Sequence, residues 1–370
     1  MPPSNTRALN AFMAKMDKNY GEGVFRMAGE PEPYRVISTG SILFDRATIV
    51  GGYVKGRIVE VWGPEDGGKS TLAFIAVAQA QRQEPDKIAV YIDMEHKADK
   101  KYARALGVDL GRMMLVQPDT AEDVADQVKD SIRSGLVSIV VLDSIGGMIS
   151  KVEKDKDADE ATVGIVPKIV TRMVNIAAVE APKTDTVVFI INQVREKVGQ
   201  KHGNPETTPG GRALKHGTTM KIKVSKVFDS GLKAMVDGAQ REVAHRMAIL
   251  VQRSKVGPAY RSAEITLFTE PSEEYGPFVG IDTANEAVQL GIEQGIIKQS
   301  GAWYSLVADP EQKAQGKPAM ANFLRTQRPD LIATIRQSAI DALSSLVVVE
   351  EPFDPDDVPD ELLDSNGDDG

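Results

Sequence analysis

The 370-residue chain contains no cysteine, which excludes disulfides and any metal or redox chemistry built on thiolates. It lacks a run approaching the ~18 apolar residues of a membrane helix. The opening MPPSNTRALN lacks the apolar core of a secretory signal. A cytoplasmic protein without a membrane partner is therefore expected. No internal repeat is found. Positive charge is missing from the last stretch, where Glu350–Asp369 holds ten acidic residues and no Lys or Arg. The formal net charge of −9 belongs to that stretch, and without it the body stands at about +1. Such an acidic, proline-containing segment cannot bury a core, and its composition predicts a disordered tail. It reads either as a solubility tail or as a competitor with an anionic ligand for a basic groove.

What is present is an ordinary globular composition, 42% hydrophobic and 26% charged, in a chain long enough for one large domain and a smaller one. Residues 5–20 carry Leu9, Phe12, Met13 and Met16 at helical spacing, ahead of the first core strand. GRIVEVW (56–62), KIAVYID (87–93), VSIVVLD (137–143) and DTVVFIIN (185–192) are short apolar runs without alternation, as expected of parallel strands buried on both faces. Helical stretches such as 69–81 and 121–135 separate them, which predicts a doubly wound α/β core. TTMKIKVSKVF and VAHRMAILVQRSKV read as further strands extending the sheet. The segments 150–168 and 194–212 have no clear period, and the second is too long for a plain connector. Past about residue 271 the pattern changes to that of a small helical or α/β domain.

Gly63–Thr71, GPEDGGKST, follows a strand and opens a helix with the spacing G-x-x-x-x-G-K-[ST]. Its glycines let backbone N–H groups turn toward phosphates, and the helix N-terminus adds partial positive charge. Lys69 can reach the β- and γ-phosphates, and Ser70 can offer its hydroxyl to Mg²⁺. Asp143 ends an apolar strand, where it can hold the metal shell. Glu95, at the carboxyl end of an adjacent strand, can orient a water toward the γ-phosphate. His96 beside it reads as structural. These residues point to ATP hydrolysis with Mg²⁺ and leave open what the energy drives.

In this order, GPEDGGKST, YIDMEHKADKKYARALGVD, IVVLDSIGG, FIINQVREKVGQKHGNPETTPGGRALK and GAWYS resemble the bacterial RecA recombinases, as does VISTGSILFDRATIVGGYVKGRIVEVWGP ahead of the P-loop. The resemblance runs from the N-terminal helix to about residue 340. The P-loop alone would say NTPase, whereas NPETTPGG after FIINQ is distinctive of this family.

The resemblance implies a RecA-like P-loop NTPase core of the α/β class with a mostly parallel central sheet. It implies domains at 1–30 (polymerisation helix and linker), 31–270 (ATPase core), 271–345 (small C-terminal α/β domain) and 346–370 (acidic tail). Gly63, Pro64, Glu65, Asp66, Gly67, Gly68, Lys69, Ser70 and Thr71 would bind the phosphates of ATP, with Ser70 and Asp143 on Mg²⁺. Asp99 and Tyr102 would bind adenine. Glu95 would be the catalytic base and Gln193 the γ-phosphate sensor that signals to the following loop. Val163 and Lys168 in the first loop, and Arg195, Val198, Gly210, Gly211 and Arg212 in the second, fall where the family binds single-stranded DNA. Cations there suit the DNA backbone, Gly210 and Gly211 offer N–H groups, and the two valines would wedge between bases. Arg253 and Lys255 would reach a neighbouring subunit's ATP, and the N-terminal helix would dock on a neighbouring core. That head-to-tail contact does not close and builds a helical filament.

The implied function is homologous recombination and DNA repair. A filament on single-stranded DNA pairs with homologous duplex and exchanges strands, with DNA-stimulated ATP hydrolysis. Repressor self-cleavage in the damage (SOS) response and accessory loaders are implied partners, and the tail would restrain access to duplex DNA. Departures from the family pattern are Asp66 and Gly67 in the P-loop, Arg253 for the usual lysine, His216 for the usual aromatic, and Pro167, expected to shift the start of the following helix. A hexameric motor of the same fold and a non-catalytic DNA-binding regulator are the alternatives. NPETTPGG argues against the first, and the intact Lys69, Ser70, Glu95 and Asp143 against the second.

Overall fold

The computed structural model describes residues 6–21, 33–154, 164–196 and 206–346. The acidic tail, Val163 and Val198 lie outside these residues. The chain divides into two units, Met1–Tyr34 and Arg35–Gly370. The first holds helix α1 (Thr6–Tyr20), where the periodicity predicts one. Leu9, Met13 and Met16 along its apolar stripe are partly buried, while Phe12 keeps half its surface in water.

The second unit opens with β1 (Val36–Ile37), α2 (Ile42–Thr48) and β2 (Tyr53–Val54). The α/β series follows as β3 (Ile58–Gly63), α3 (Lys69–Gln83), β4 (Ile88–Asp93), α4 (Lys100–Ala105), β5 (Met113–Val116), α5 (Ala121–Arg133) and β6 (Val137–Asp143). Next come α6 (Lys151–Lys154), α7 (Ile165–Thr184), β7 (Val187–Gln193), the short pair β8 (Arg195–Glu196) and β9 (Glu206–Thr207), and α8 (Gly211–Gly217). Strands β10 (Met220–Lys226), β11 (Leu232–Val236), β12 (Ala239–Ser254), β13 (Arg261–Phe268) and β14 (Gly280–Ile281) complete the large sheet. The C-terminal part is α9 (Thr283–Glu293), β15 (Ile297–Ser300), β16 (Trp303–Leu306), β17 (Lys313–Gln315), α10 (Lys317–Gln327) and α11 (Pro329–Leu346).

The large sheet has the order β14-β13-β12-β10-β3-β7-β6-β4-β5, with β11 paired to β12. From β10 to β5 every pairing is parallel, and from β10 to β14 every pairing is antiparallel. The unalternating runs of the sequence are thus the central strands. Their side chains alternate between two apolar cores, one on each face. Ile58 joins the core under α5 and α7, while Val59 and Val61 join the one under α3. Each fully buried aliphatic side chain there contributes roughly 1.5–3 kcal/mol. The helices start at side-chain caps where the sequence supplies them. Thr120 accepts from the Asp123 N–H at 3.3 Å, and Asp282 from that of Asn285 at 3.1 Å.

This order places the carboxyl ends of β3, β7, β6 and β4 side by side, the edge where open α/β sheets bind ligands. Strand β4, which leads into the turn with Glu95, is next to β6, which ends at Asp143, with β6 and β7 between β4 and the P-loop strand β3. Helix α7 begins at Ile165, so Pro167 lies inside its first turn and does not precede its start. Proline is tolerated there because a first-turn N–H has no intrahelical acceptor.

The C-terminal elements pack around their own core, which includes Val288, Leu290, Ile297, Met320, Leu324 and Ile335. Buried Glu286 on α9 ties them to the rest. It accepts from the Ser41 hydroxyl, from the Ile42 N–H at 3.1 Å and from Arg336 at 2.9 Å.

Candidate nucleotide site and DNA-facing loops

Strand β3 leaves the sheet at Gly63, whose φ is 159°. A Cβ at Gly63 would lie 1.9 Å from the carbonyl oxygen of Val224 on β10, so only glycine permits this exit. The loop turns through Asp66 at φ 55° and Gly68 at φ 86°, and α3 starts at Lys69. Lys69 is buried, and its Nζ donates to the carbonyl of Pro64 at 2.5 Å, back across the loop. Burial pushes the Lys69 pKa down, and the charges of Asp143, Glu65, Glu95 and Asp66 oppose that. The ammonium therefore sits where an anionic ligand would meet both a cation and the N-terminus of a long helix. Asp66 is close enough for its charge to act on Lys69, as its place in the loop implies.

Ser70 Oγ donates to Asp143 Oδ2 at 2.8 Å, and the Tyr91 hydroxyl donates to the same oxygen at 2.6 Å. Burial raises the Asp143 pKa, against hydrogen bonds from Tyr91 and Ser70 and with added repulsion from Glu95 and Asp93. A hydroxyl and a carboxylate held together are hard oxygen donors. They suit Mg²⁺, which takes few protein ligands and fills its shell with water and phosphate oxygens. The residues present thus fit the metal.

Glu95 meets three donors. Its Oε1 accepts from Ser144 Oγ at 2.9 Å and from Gln193 Nε2 at 2.9 Å, and its Oε2 accepts from Lys97 Nζ at 3.0 Å. Burial raises its pKa, but the hydrogen bonds and charge of these partners outweigh it and hold the carboxyl below its ordinary value. The loop bearing Glu95 is shaped by Asp93, whose carboxylate accepts from the N–H groups of Lys97 (3.2 Å) and Ala98 (2.9 Å) and from Gln117 (3.1 Å). His96 takes the left-handed turn position at φ 55°. Asp93, Ser144, Lys97 and Tyr91 were not singled out from sequence. The one visible signal was that Asp93, like Asp143, is an acid closing an apolar strand.

Asp99 caps α4 by accepting from the N–H groups of Lys101 and Tyr102, at 2.8 and 3.0 Å. The Tyr102 hydroxyl lies 3.3 Å from Thr71 Oγ1, so α4 abuts the start of α3. The structure brings Lys69, Ser70, Thr71, Glu95, Asp99, Tyr102, Asp143 and Gln193 to one edge of the sheet.

Arg253 and Lys255 are elsewhere. Arg253 donates to Thr218 Oγ1 at 2.6 Å and Lys255 to the carbonyl of His216. Among the described residues no hydrogen bond or ion pair joins either to the P-loop, Glu95 or Asp143.

Lys168 falls in the first turn of α7, on the helix and exposed, where the sequence placed it in a loop. It lines an open groove of about 680 Å³ together with Arg133, Arg172, Asn175, Val179 and Glu180. The second loop is closed at its base by β8 and β9, with Arg195 opposite Thr207 and Glu196 opposite Glu206. Gly210 and Gly211 turn the chain into α8 at φ 102° and 68°. The side chains of Arg195 and Arg212 lie outside the description.

The chain matches the family model of the RecA N-terminal domain over residues 7–271 and that of the RecA C-terminal domain over residues 285–344. It is 36% identical over 367 residues to Protein RecA of Staphylococcus epidermidis, covering 98% of this chain and 100% of that protein. It is 35% identical to Protein RecA of Lactiplantibacillus plantarum, covering 98% of this chain and 91% of that one. Among solved structures, a crystal structure of the RadB recombinase aligns with 63% of this chain and 97% of that one, at 19% identity and a TM-score of 0.47.

Proposed function

The chain is a divergent member of the bacterial RecA family, and from that membership and the geometry of its site we propose that it is an ATP-dependent protein of DNA recombination and repair. The observation that carries the reading is the hydrogen bond between Glu95 and Gln193. It joins the residue suited to activating water to the strand that runs directly into the second loop.

In this reading Lys69 and the turned N–H groups of Gly63–Thr71 bind the triphosphate, and Asp99 and Tyr102 flank the adenine. Ser70 and Asp143 would hold Mg²⁺, which would supply neutralisation of phosphate charge. Glu95 orients a water in line with the γ-phosphorus. The water oxygen forms the new P–O bond as the bond to the β-bridging oxygen breaks, and ADP and phosphate leave with a proton lost to solvent. Gln193 exchanges its bond to Glu95 for one to the γ-phosphate, which shifts β7 and the loop after it.

Lys168, Arg195, Arg212 and the N–H groups of Gly210 and Gly211 engage the single-stranded DNA backbone, with Val163 and Val198 between bases. Helix α1 docks on a neighbouring copy, and Arg253 and Lys255 reach that copy's ATP. The filament pairs with homologous duplex, exchanges strands and is released by hydrolysis. Stimulation of a repressor's self-cleavage, loader proteins, restraint of duplex access by the tail and a cytoplasmic location are part of the proposal. None of the described helices is long and apolar enough to cross a membrane.

Electron microscopy and an ATPase assay, each with and without single-stranded DNA, test the reading. Open filaments with DNA-stimulated hydrolysis support it. Closed rings favour a hexameric motor, and absent turnover favours a non-catalytic regulator.

A further inference from the structure

Glu60 on β3 is a carboxylate with no part in the hydrolysis just described, and its side chain is 1% exposed. Burying an anion costs several kcal/mol unless partners meet it. Its Oε1 accepts from Asn192 Nδ2 at 3.0 Å and from Lys221 Nζ at 3.2 Å, and its Oε2 has no hydrogen-bond partner among the described residues. Both donors have a second bond to the end of the second loop. Lys221 donates to Thr208 Oγ1 at 2.7 Å, and Asn192 donates to the carbonyl of Pro209 at 2.9 Å. Asn192 Oδ1 in turn accepts from the Gln193 N–H at 3.0 Å. The ladder enforces the arrangement, because Lys221 pairs with Glu60 across β10 and β3, and Trp62 pairs with Asn192 across β3 and β7. Lys221 also lies 5.0 Å over the Trp62 ring, which fixes its stem.

We propose that Glu60, Asn192 and Lys221 are positioning residues that lock Thr208 and Pro209 to the strand carrying Gln193, so that ATP at the P-loop and DNA at the second loop strengthen each other's binding. A purely structural cluster would be served as well by apolar side chains of the same volume, without the desolvation cost. The ionic set offers direction. A shift of Gln193 acts on Asn192 through the backbone and through its side-chain amide, and Asn192 passes it to Pro209 directly and to Thr208 by way of Glu60 and Lys221. Burial depresses the Lys221 pKa against the attraction of Glu60, so the lysine depends on that carboxylate to stay charged. The inference rests on the proposed DNA-binding function.

The test is the ratio of affinities for a fluorescent oligo(dT) without nucleotide and with ATPγS and Mg²⁺, using the full chain. Because Lys221→Met alone strands a buried anion, the double variant Glu60→Gln/Lys221→Met is the decisive one. It is expected to fold and to lose at least about tenfold of the wild-type ratio. Its KM for ATP without DNA is expected to stay within about twofold of wild type, which loss of structure would not allow. Lys221→Arg, which keeps donors for Glu60 and Thr208, is expected to retain the ratio. A folded double variant with the wild-type ratio overturns the clamp and leaves the function standing. A wild-type protein whose DNA affinity ignores nucleotide overturns both.

Discussion

Gln193 Nε2 donates to Glu95 Oε1 at 2.9 Å, so the amide assigned to sensing ATP is bonded to the carboxylate assigned to activating water. Gly63, where the P-loop begins, is the register partner of Gln193 across β3 and β7. The proposed nucleotide loop, the proposed water-activating acid and the strand leading to the second loop thus meet at one residue.

Removing that bond has a consequence for pH. Glu95 is held ionised below the ordinary glutamate range, so the acid limb of kcat is expected to lie below that range as well. Gln193→Ala removes one of the donors that keep it there. The limb is expected to move to higher pH, and stimulation by DNA to fall by about tenfold or more. A pH profile of kcat with and without oligo(dT) measures both.

Glu95→Gln keeps the side chain's size and one acceptor oxygen, but it loses the charge paired with Lys97 and cannot orient water as an anion. Hydrolysis is expected to fall by about 10²–10⁴-fold, with ATP affinity retained and filaments that no longer disassemble. Steady-state ATPase and nucleotide-binding titrations check this. Turnover at the wild-type rate removes Glu95 from the role.

Gly63→Ala would place its Cβ 1.9 Å from a backbone oxygen that cannot rotate away, at φ 159°. The expected loss is at least about 3 kcal/mol, read from the urea midpoint. Gly68→Ala would meet the tip of Met247 at 2.2 Å, a flexible end that can move. Its cost is then mainly that of the left-handed backbone, about 1 kcal/mol.

Two buried carboxyls give folding a pH dependence of their own. Burial pushes Asp45 up to about 6 and Glu286 up to about 7, despite hydrogen bonds from Ser38 and Thr39 to the first and the Arg336 charge beside both. Between the ordinary carboxylate range and these values the native state holds protons that the unfolded chain has released. Their contribution to stability therefore declines as pH rises through that window and levels off above about 7, while His245, whose pKa burial lowers, acts in the opposite sense below its ordinary value. The surface acids Asp109, Asp119 and Asp330, held low by their basic partners, act in the opposite sense only at more acid pH. Thermal melts from pH 5 to 8 are expected to show the decline in wild type and a shallower one in Glu286→Gln. Equal slopes would mean that Glu286 is not protonated in the native protein.

The central strands were legible because residues buried on both faces leave an unbroken apolar run, as in VSIVVLD. The P-loop, Asp143 and Glu95 were legible because their positions at strand ends follow from local sequence. The partners of Glu95 were not. Ser144 and Gln193 reach it through strand order, which no local pattern states. Glu60 and Lys221 were hidden for the same reason, since they are register partners on neighbouring strands far apart in the chain. The loop expected over 150–168 ends earlier, where α7 starts at Ile165, because the first turn of a helix accepts the proline at 167.

Strand exchange between circular single-stranded DNA and a homologous linear duplex, followed on an agarose gel with ATP and Mg²⁺, tests the proposed recombinase most directly. Joint molecules and exchanged product are expected with homologous duplex, none with heterologous duplex, and none from Lys69→Ala. Absence of product from the wild-type protein, or product formed regardless of homology or ATP, would contradict the assignment.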